Sequence, residues 1–173
     1  MRRLILFRHA KSESADGIAD MERPLAERGR ADAARIGAYL ADQGLRPDAA
    51  LVSTARRTRE TWEFAAAALR SPPPVAFDEQ LYDARAETLL EVLRETPRAT
   101  HSLMLIGHNP GMEELARALT GTEEKDARRS LAQKFPTGGL AVIDFPIDGW
   151  NEVKPGAGRL VQYVTPKILA REK

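Results

Sequence analysis

The stretch Arg3-Leu-Ile-Leu-Phe-Arg-His-Ala-Lys-Ser12 decides the fold that the sequence predicts. Leu4 to Phe7 is a short apolar run, typical of a strand buried on both faces of a parallel sheet. The run ends at Arg8 and His9, where a cation and an imidazole replace hydrophobic side chains. Ligands of open parallel sheets bind outside the carboxyl ends of the strands, so Arg8 and His9 are predicted to face a binding crevice. A solvated strand end is the alternative that this stretch leaves open.

The composition indicates one soluble globular domain spanning residues 1–173. A chain of 173 residues with 43% hydrophobic content is ample for a single core. Its 26 Lys and Arg residues against 25 Asp and Glu give a net charge of +1, which supplies no bulk field favouring nucleic acid or a membrane. We therefore expect neither of these as a partner. The sequence is silent on oligomeric state, and a monomer is the default expectation.

Several classes of site and segment are not expected. The chain has no cysteine, which excludes disulfides and thiolate metal sites, and its three histidines make an all-protein zinc site improbable. No Gly-x-x-x-x-Gly-Lys pattern or Asp-rich magnesium motif occurs, so no metal or other cofactor is expected. The apolar run before Arg8 is too short for a signal peptide, and none approaches the roughly 20 residues of a membrane helix. We expect a cytoplasmic protein.

A second strand, Ala49 to Val52, also ends in a turn that carries chemistry. Ser53 is predicted to cap a helix that runs to about Leu69. Helical spacing places Arg57 on the inner face of its first turn, beside the free N–H groups of a helix N-terminus, where a guanidinium fork suits an anion. The alternative is a helix with surface ion pairs, which fits Arg56 on the opposite side better than Arg57.

A third strand, Leu103 to Ile106, leads into a turn of the same kind. His108 follows Gly107 at the carboxyl end of this strand, and Asn109 is predicted to cap the next helix with Pro110 at its first position. His101 precedes the strand, at the wrong end of the sheet, and is interpreted as structural or solvated.

The remaining elements are assigned from periodicity and turn residues. The segment from Ser12 to Pro24 is predicted to be a loop over the end of the first strand, either bordering a substrate cleft or merely solvated. Residues 165–173 are predicted to fray, and residues 123–133 to be charged surface, with a helix as one reading of that segment. The other predicted elements are helices over 26–43 and 86–95 and strands over 75–77, 140–145 and 159–164.

Three strand ends thus bring together Arg8, His9, Arg57 and His108, with no carboxylate predicted among them. Two guanidiniums and two imidazoles would repel one another unless an anion arrives, and forks of N–H donors suit a tetrahedral phosphoryl group. One imidazole can attack phosphorus while the other neutralises the phosphoryl oxygens. The arginines and His108 would then supply the charge that a metal supplies elsewhere.

These motifs resemble the histidine phosphatase superfamily, which includes the cofactor-dependent phosphoglycerate mutases. The similar segments are Arg8-His9-Ala10, Ser53-x-Ala55-x-Arg57-Thr58-x-x-Thr61 and Gly107-His108-Asn109-Pro110. The short length and the string Arg23-Pro-Leu-x-x-x-Gly29 are most similar to the small phosphohistidine phosphatases of that superfamily. The resemblance implies a three-layer α/β/α sandwich with a mostly parallel central sheet, phosphoglycerate mutase-like.

The resemblance also implies a mechanism, in which His9 is the transiently phosphorylated nucleophile and Arg8, Arg57 and His108 bind the phosphoryl oxygens. Lys11, Ser12 and Asn109 are expected to add to substrate binding. The sequence departs from the family in two places. Ala10 stands where Gly is usual, and it is small enough to keep the turn. Lys11 stands where many members have an acid, which makes the pocket more attractive to anions.

The acid that protonates the leaving group is the least determined part of the predicted site. Glu79 is the candidate, and Tyr82 and Asp83 are nearby alternatives. An imidazole leaving group has a conjugate pKa near 6.5 and needs little help, whereas an alkoxide needs a positioned acid. The sequence therefore favours a metal-independent phosphatase for phosphohistidine in a protein.

Other functions remain open. The first alternative is a phosphomonoesterase that acts on small phosphate esters or phosphoproteins. A mutase is less favoured because those relatives carry longer insertions that enclose the substrate. A non-catalytic phosphate-binding module is the hypothesis from another class.

Overall fold

A central sheet organises the chain in a computed structural model that describes residues 1–14, 16–121, 129, 131 and 134–172. Its six strands lie in the order β3-β2-β4-β1-β5-β6, and β5 runs antiparallel to both of its neighbours. The pairs β1·β4, β2·β4 and β2·β3 are parallel, which confirms the mostly parallel sheet. The strands are β1 (Arg2–Arg8), β2 (Ala49–Ser53), β3 (Val75–Asp78), β4 (Ser102–Gly107), β5 (Leu140–Phe145) and β6 (Arg159–Val164).

Helices cover both faces of this sheet. The regular helices are α1 (Glu27–Asp42), α2 (Arg56–Ala66), α3 (Ala86–Arg94), α4 (Gly111–Leu119) and α5 (Pro166–Arg171). Single 3-10 turns cover Asp20–Glu22, Glu79–Leu81 and Trp150–Glu152. In the part of the chain that the structure describes, no helix has the length and apolar character needed to cross a membrane.

Strand β1 shows why the sheet needs helices on both sides. Leu4 and Leu6 are buried in one cluster with residues of α3 and α4. Ile5 and Phe7 are buried in the other cluster with residues of α1, α2 and α5. A strand whose successive side chains are all apolar must be covered on both faces, so the continuous run of hydrophobic residues produces the three-layer sandwich.

Two predicted helix starts are wrong, by two residues for α2 and by one residue for α4. Helix α2 begins at Arg56, with Ala55 as its N-cap residue and no side-chain cap, because Ser53 is still the last residue of β2. Helix α4 begins at Gly111, although the Asn109 side chain still serves its first turn by accepting from the Glu113 backbone N–H at 3.2 Å. Both corrections lengthen the turn between strand and helix.

The prediction that the last residues fray is wrong. Residues 166–171 form α5, and the Thr165 hydroxyl accepts from the Ile168 backbone N–H at 3.1 Å, as a helix cap does. Leu169 is buried in the same cluster as residues of α1. Buried Pro166 and Leu169, with the cap, therefore order a segment that its charges suggested was free. The predicted charged segment over 123–133 lies outside the described residues, apart from positions 129 and 131.

Candidate active site

The carboxyl ends of three neighbouring strands meet at one polar cleft. Strands β2, β4 and β1 are adjacent and parallel, so the turns that follow them lie along one edge of the sheet. The cleft has a volume of about 400 Å³. It is lined by Arg8, His9, Lys11, Ser12, Ser14, Asp20, Arg23, Arg57, Asp83, His108, Asn109 and Thr137.

Backbone hydrogen bonds fix the turn after β1. The His9 N–H donates to the Gly107 carbonyl at 3.1 Å, which joins this turn to the end of β4. On the other side, the Gly138 N–H donates to the carbonyls of Arg8 and His9 at 3.1 and 3.0 Å. Gly138 has φ +77°, a conformation that glycine adopts without steric cost. The turn is thus held by the backbone on both sides, so that its side chains are preorganised.

Thr61 links the β1 turn to α2. Its hydroxyl accepts from the Ala10 backbone N–H at 3.0 Å and donates to the Arg57 carbonyl at 2.7 Å. Thr61 is fully buried. The sequence places Thr61 on the inner face of the helix but does not indicate this role, because the bond joins residues 51 positions apart.

His9 presents one ring nitrogen to the cleft. Its Nδ1 lies 2.8 Å from the Ala10 carbonyl oxygen, which can only accept, so Nδ1 carries the proton and Nε2 keeps its lone pair. Nε2 has no partner among the described residues. Burial lowers the pKa of His9 to about 3. The hydrogen bond to Ala10 opposes this shift, and the charges of His108, Arg8 and Arg57 add to it. The ring is therefore neutral at pH 7 and suited to act as a nucleophile.

His108 has the same tautomer as His9, but the ring nitrogen that it bonds to the protein is the other one, Nε2. Its Nε2 lies 2.8 Å from the Ser53 hydroxyl, which itself accepts from the Ala55 backbone N–H at 3.5 Å. The hydrogen of this hydroxyl has no other acceptor among the described residues, so we assign it to Nε2, which places the proton of His108 on Nδ1, a buried atom that has no partner. Burial and the charge of Arg57 lower the pKa of His108 to about 4. The two imidazole centroids are 5.3 Å apart, close enough to act on one group.

Arg8 supplies a second unpaired donor. One of its terminal nitrogens donates to the Phe135 carbonyl at 3.0 Å, and the Asn109 amide donates to the same oxygen at 2.8 Å. The Arg8 Nε is buried without a partner. Burial lowers the pKa of Arg8, although a guanidinium remains charged in proteins. Unpaired buried donors are costly, so the Arg8 Nε and the His108 Nδ1 indicate a missing acceptor such as a phosphoryl oxygen.

The expectation that no carboxylate lies among the cationic groups is wrong. Arg57 is only 4% exposed, and its two terminal nitrogens donate to the backbone carbonyl and the carboxylate of Asp20, at 2.8 and 3.1 Å. The neutral imidazoles and this carboxylate explain how two guanidiniums share one cleft. The charged loop between β1 and α1 could supply such a residue, but its sequence does not show which carboxylate bends into the site.

The three candidates for the leaving-group acid lie in different places. Glu79 is an exposed residue of a 3-10 turn and does not line the cleft. Asp83 lines the rim, with its carboxylate 4.0 Å from Arg57 and most of its side chain in solvent. The Tyr82 hydroxyl donates to the Asp20 carboxylate, and its ring meets the His108 ring edge-on at 5.5 Å.

The residues expected to add to substrate binding also line the cleft. Lys11 is exposed at its mouth, and the Ser12 hydroxyl accepts from Arg23 at 2.9 Å. Asn109 lines the wall beneath Arg8. Among the residues described, no group of three or more His, Asp or Glu side chains could hold a metal ion.

Comparison with known proteins gives the family. Residues 4–84 match the family described as the histidine phosphatase superfamily, branch 1. An uncharacterised protein of Mycobacterium tuberculosis is 37% identical over 164 residues, covering 93% of this chain and all of that protein. A crystal structure of the candidate phosphohistidine phosphatase SixA from Agrobacterium tumefaciens is 35% identical, covers 95% of this chain and 98% of its own, and superposes with a TM-score of 0.81.

A third protein shares the fold. The protein histidine phosphatase SixA, solved with tungstate, superposes with a TM-score of 0.78 at 20% identity and covers 99% of both chains. The chain belongs to the histidine phosphatase superfamily, and the solved structure that is 35% identical to it is of the SixA type. It is a phosphatase with the phosphoglycerate mutase-like α/β fold.

Proposed function

We propose that this chain is a metal-independent phosphatase that removes phosphate from phosphohistidine in a protein, through a phosphorylated intermediate on His9. The observation that carries the proposal is the pair of imidazoles that lie side by side in the cleft. His9 presents a bare Nε2 and His108 an unpaired Nδ1–H, with centroids 5.3 Å apart. One ring is therefore prepared to attack phosphorus and the other to stabilise a phosphoryl oxygen.

In the first step, the His9 Nε2 lone pair forms a bond to phosphorus as the bond to the substrate imidazole nitrogen breaks. The departing ring takes the bonding electron pair; if its other nitrogen already carries a proton it leaves as neutral imidazole, and otherwise it takes a proton from water. Arg8, Arg57 and the His108 Nδ1–H neutralise the three equatorial oxygens. His9 then carries the phosphoryl group on Nε2, and the positive charge of its ring is stabilised by the Nδ1–H bond to Ala10.

In the second step, water attacks phosphorus and the bond to His9 Nε2 breaks. The electron pair returns to the ring, the attacking water loses a proton to solvent or to phosphate, and inorganic phosphate leaves. The neutral ring that results is the form favoured by burial, since the pKa of His9 is lowered to about 3. The site thus returns to its starting protonation state.

Neither Glu79 nor Asp20 is suited to protonate a leaving group, and this supports phosphohistidine as the substrate class. Glu79 does not line the cleft, and the Asp20 carboxylate has a pKa of about 2, chiefly because of the Tyr82 hydroxyl, so it is ionised at pH 7. Neither can protonate a leaving group. An imidazole leaving group tolerates this, because its conjugate acid has a pKa near 6.5. The similarity to a candidate phosphohistidine phosphatase at 35% identity points in the same direction.

The test compares turnover of a phosphohistidine peptide, a phosphoserine peptide, para-nitrophenyl phosphate and sugar phosphates, with and without excess EDTA. We expect the phosphohistidine peptide to give the highest kcat/KM and EDTA to have no effect. Brief incubation with labelled substrate should leave acid-labile phosphate on wild type and none on His9→Ala. Turnover by His9→Ala at the wild-type rate, or restoration of an EDTA-treated enzyme only by a divalent metal, would contradict the mechanism.

Asp83 favours a second candidate function. Among the described residues, two carboxylates line the cleft, and Tyr82 and Arg23 bond to Asp20 rather than to Asp83. The Asp83 carboxylate lies 4.0 Å from Arg57, which places it near a bound phosphoryl group. A rim carboxyl of this kind could protonate an alkoxide, which would make the enzyme a phosphomonoesterase. Asp83→Asn separates the two candidates. It should leave phosphohistidine hydrolysis within about twofold of wild type, whereas a large loss on every substrate would favour the phosphomonoesterase.

A further inference from the structure

Asp20 already accepts hydrogen bonds from Arg57, the arginine that we propose binds the phosphoryl group. Arg57 Nη1 donates to the Asp20 backbone carbonyl at 2.8 Å, and Nη2 donates to its carboxylate Oδ2 at 3.1 Å. Arg57 is almost fully buried, so its fork can point in few other directions. An oxygen of an incoming phosphoryl group must therefore share or replace a bond that the Asp20 carboxylate makes.

Further contacts hold the carboxylate in this position. The Tyr82 hydroxyl donates to Oδ2, and Arg23 donates to Oδ1 at 3.1 Å. These donors, with Arg57, lower the pKa of Asp20 to about 2, so the side chain is an anion throughout the neutral range. Its side chain is about half exposed, which leaves room for a ligand to approach beside it.

The loop that carries Asp20 is closed at its base. Ser12 and Leu25 form an isolated antiparallel bridge, and the Glu13 N–H donates to the Pro24 carbonyl at 2.8 Å. Arg23 then donates from Nε to the Glu13 carbonyl at 2.8 Å, across the mouth of the loop. The position of Asp20 is therefore determined by contacts on its own loop as well as by Arg57.

We propose that Asp20 is a specificity-determining residue, a resident counter-anion that makes the cleft select phosphoryl ligands by their net charge. This inference rests on the proposed function for the substrate it favours. Each additional negative charge on a ligand is repelled by Asp20, and product phosphate is bound less tightly than by the arginines alone. A phosphohistidine ring can carry a proton near neutral pH, because histidine has a pKa near 6.5, so it presents one negative charge fewer than phosphoserine.

The first measurement uses no substrate. Binding of orthophosphate and of tungstate to wild type and Asp20→Asn is measured by calorimetry at fixed ionic strength. The asparagine keeps an oxygen for Arg57 and Tyr82, and it removes the charge together with the acceptor that Arg23 uses. We expect it to bind both anions between about fivefold and tenfold more tightly, as removal of one charge at roughly 4 to 6 Å in a partly solvated site predicts. Equal or weaker binding would overturn the proposal and show that Asp20 merely positions Arg57.

The chain offers a matched control and a second variant. Glu22→Gln removes a charge from the same 3-10 turn but at a position that does not line the cleft, and it should change anion affinity by less than twofold. Tyr82→Phe keeps the ring against His108 and removes the hydroxyl that holds the carboxylate. It should shift affinity in the same direction as Asp20→Asn by a smaller factor. An equal shift in Glu22→Gln, or weaker anion binding in Tyr82→Phe, would contradict the inference.

The second measurement compares substrates. Asp20→Asn should raise kcat/KM for a phosphoserine peptide by a larger factor than for a phosphohistidine peptide, and so reduce the discrimination between them. A uniform change for both peptides would overturn selection by net charge. If wild type turns over no phosphohistidine, the proposed function fails, while the affinity for orthophosphate and tungstate still decides the role of Asp20.

Discussion

At the scale of single residues, Arg56 and Arg57 show how one position changes the role of the same side chain. Arg56 is exposed and pairs with Glu60 at 3.1 Å, whereas Arg57 is buried at the cleft. Arg57→Ala should lower kcat/KM by a factor on the order of 10² to 10³, because a charge-assisted donor to the transferring phosphoryl group is lost. Arg56→Ala should leave kcat/KM unchanged and cost about 0 to 1 kcal/mol of stability. A dead Arg56→Ala beside an active Arg57→Ala would reverse these assignments.

The residues that meet at the cleft differ in how visible they are from the sequence. Arg8 and His9 directly follow an apolar run, His108 comes after one glycine and Arg57 lies in the first helical turn after another run. Parallel strands bring such positions to one edge of the sheet. Their chemical roles stay predictions. Asp20 is different, because its loop has no periodicity and its partner Tyr82 is 62 residues away. A contact between residues so far apart in the sequence depends on tertiary packing, and the pattern of neighbouring residues does not predict it.

At the scale of elements, α1 packs directly on the turn that follows β1. A Cβ on Gly29 would lie 2.0 Å from the Lys11 carbonyl oxygen, and the Ala26 N–H donates to that same carbonyl at 2.9 Å. This approach accounts for the glycine of the Arg23-Pro-Leu-x-x-x-Gly29 string. The string therefore sets the distance between a helix and the turn that carries His9, in addition to supplying Arg23 to the loop.

Gly29→Ala should both destabilise the protein and impair the site. Overpacking against a backbone carbonyl typically costs about 1 to 3 kcal/mol, and displacement of Lys11 should also disturb His9, so kcat/KM should fall. Gly37→Ala is the matched control, since its Cβ would meet the Ala65 carbonyl oxygen at 2.2 Å, between α1 and α2 and away from the cleft. It should lose comparable stability in urea unfolding and keep its kcat/KM. Equal kinetic losses in the two variants would exclude a specific link between α1 and the turn.

The elements themselves were largely predictable; the errors are the missed helix α5 and the starts of α2 and α4. Buried strands such as Leu140–Phe145 and the stripe of α1 follow from hydrophobic periodicity. The start of α2 was not predictable, because Ser53 has the side chain of a good N-cap but bonds to His108 instead. A serine that bonds to a distant side chain in the folded protein can therefore look like a helix N-cap in the sequence.

At the scale of the whole molecule, the buried histidines of the site make the free energy of unfolding depend on pH. His9 and His108 are both buried at the junction of three strands, where Arg8, Arg57 and the Asp20 carboxylate face them. Burial is the largest cause of their low pKa values, about 3 and about 4. In the unfolded chain each ring would titrate near 6.5. Between these values the unfolded state binds more protons than the folded state, so acid favours unfolding.

The free energy of unfolding should therefore fall as the pH is lowered from 8 to 5, by on the order of 2 kcal/mol for each of the two histidines. Asp20 contributes little in this window, because its pKa of about 2 in the folded state lies below it and an unfolded aspartate titrates near 3.9. Urea unfolding of wild type, His9→Gln and His108→Gln across this range measures the effect. Each variant should remove about half of the fall. A pH dependence in both variants equal to that of wild type would show that the buried imidazoles are not its source, and that their protons are held equally in both states.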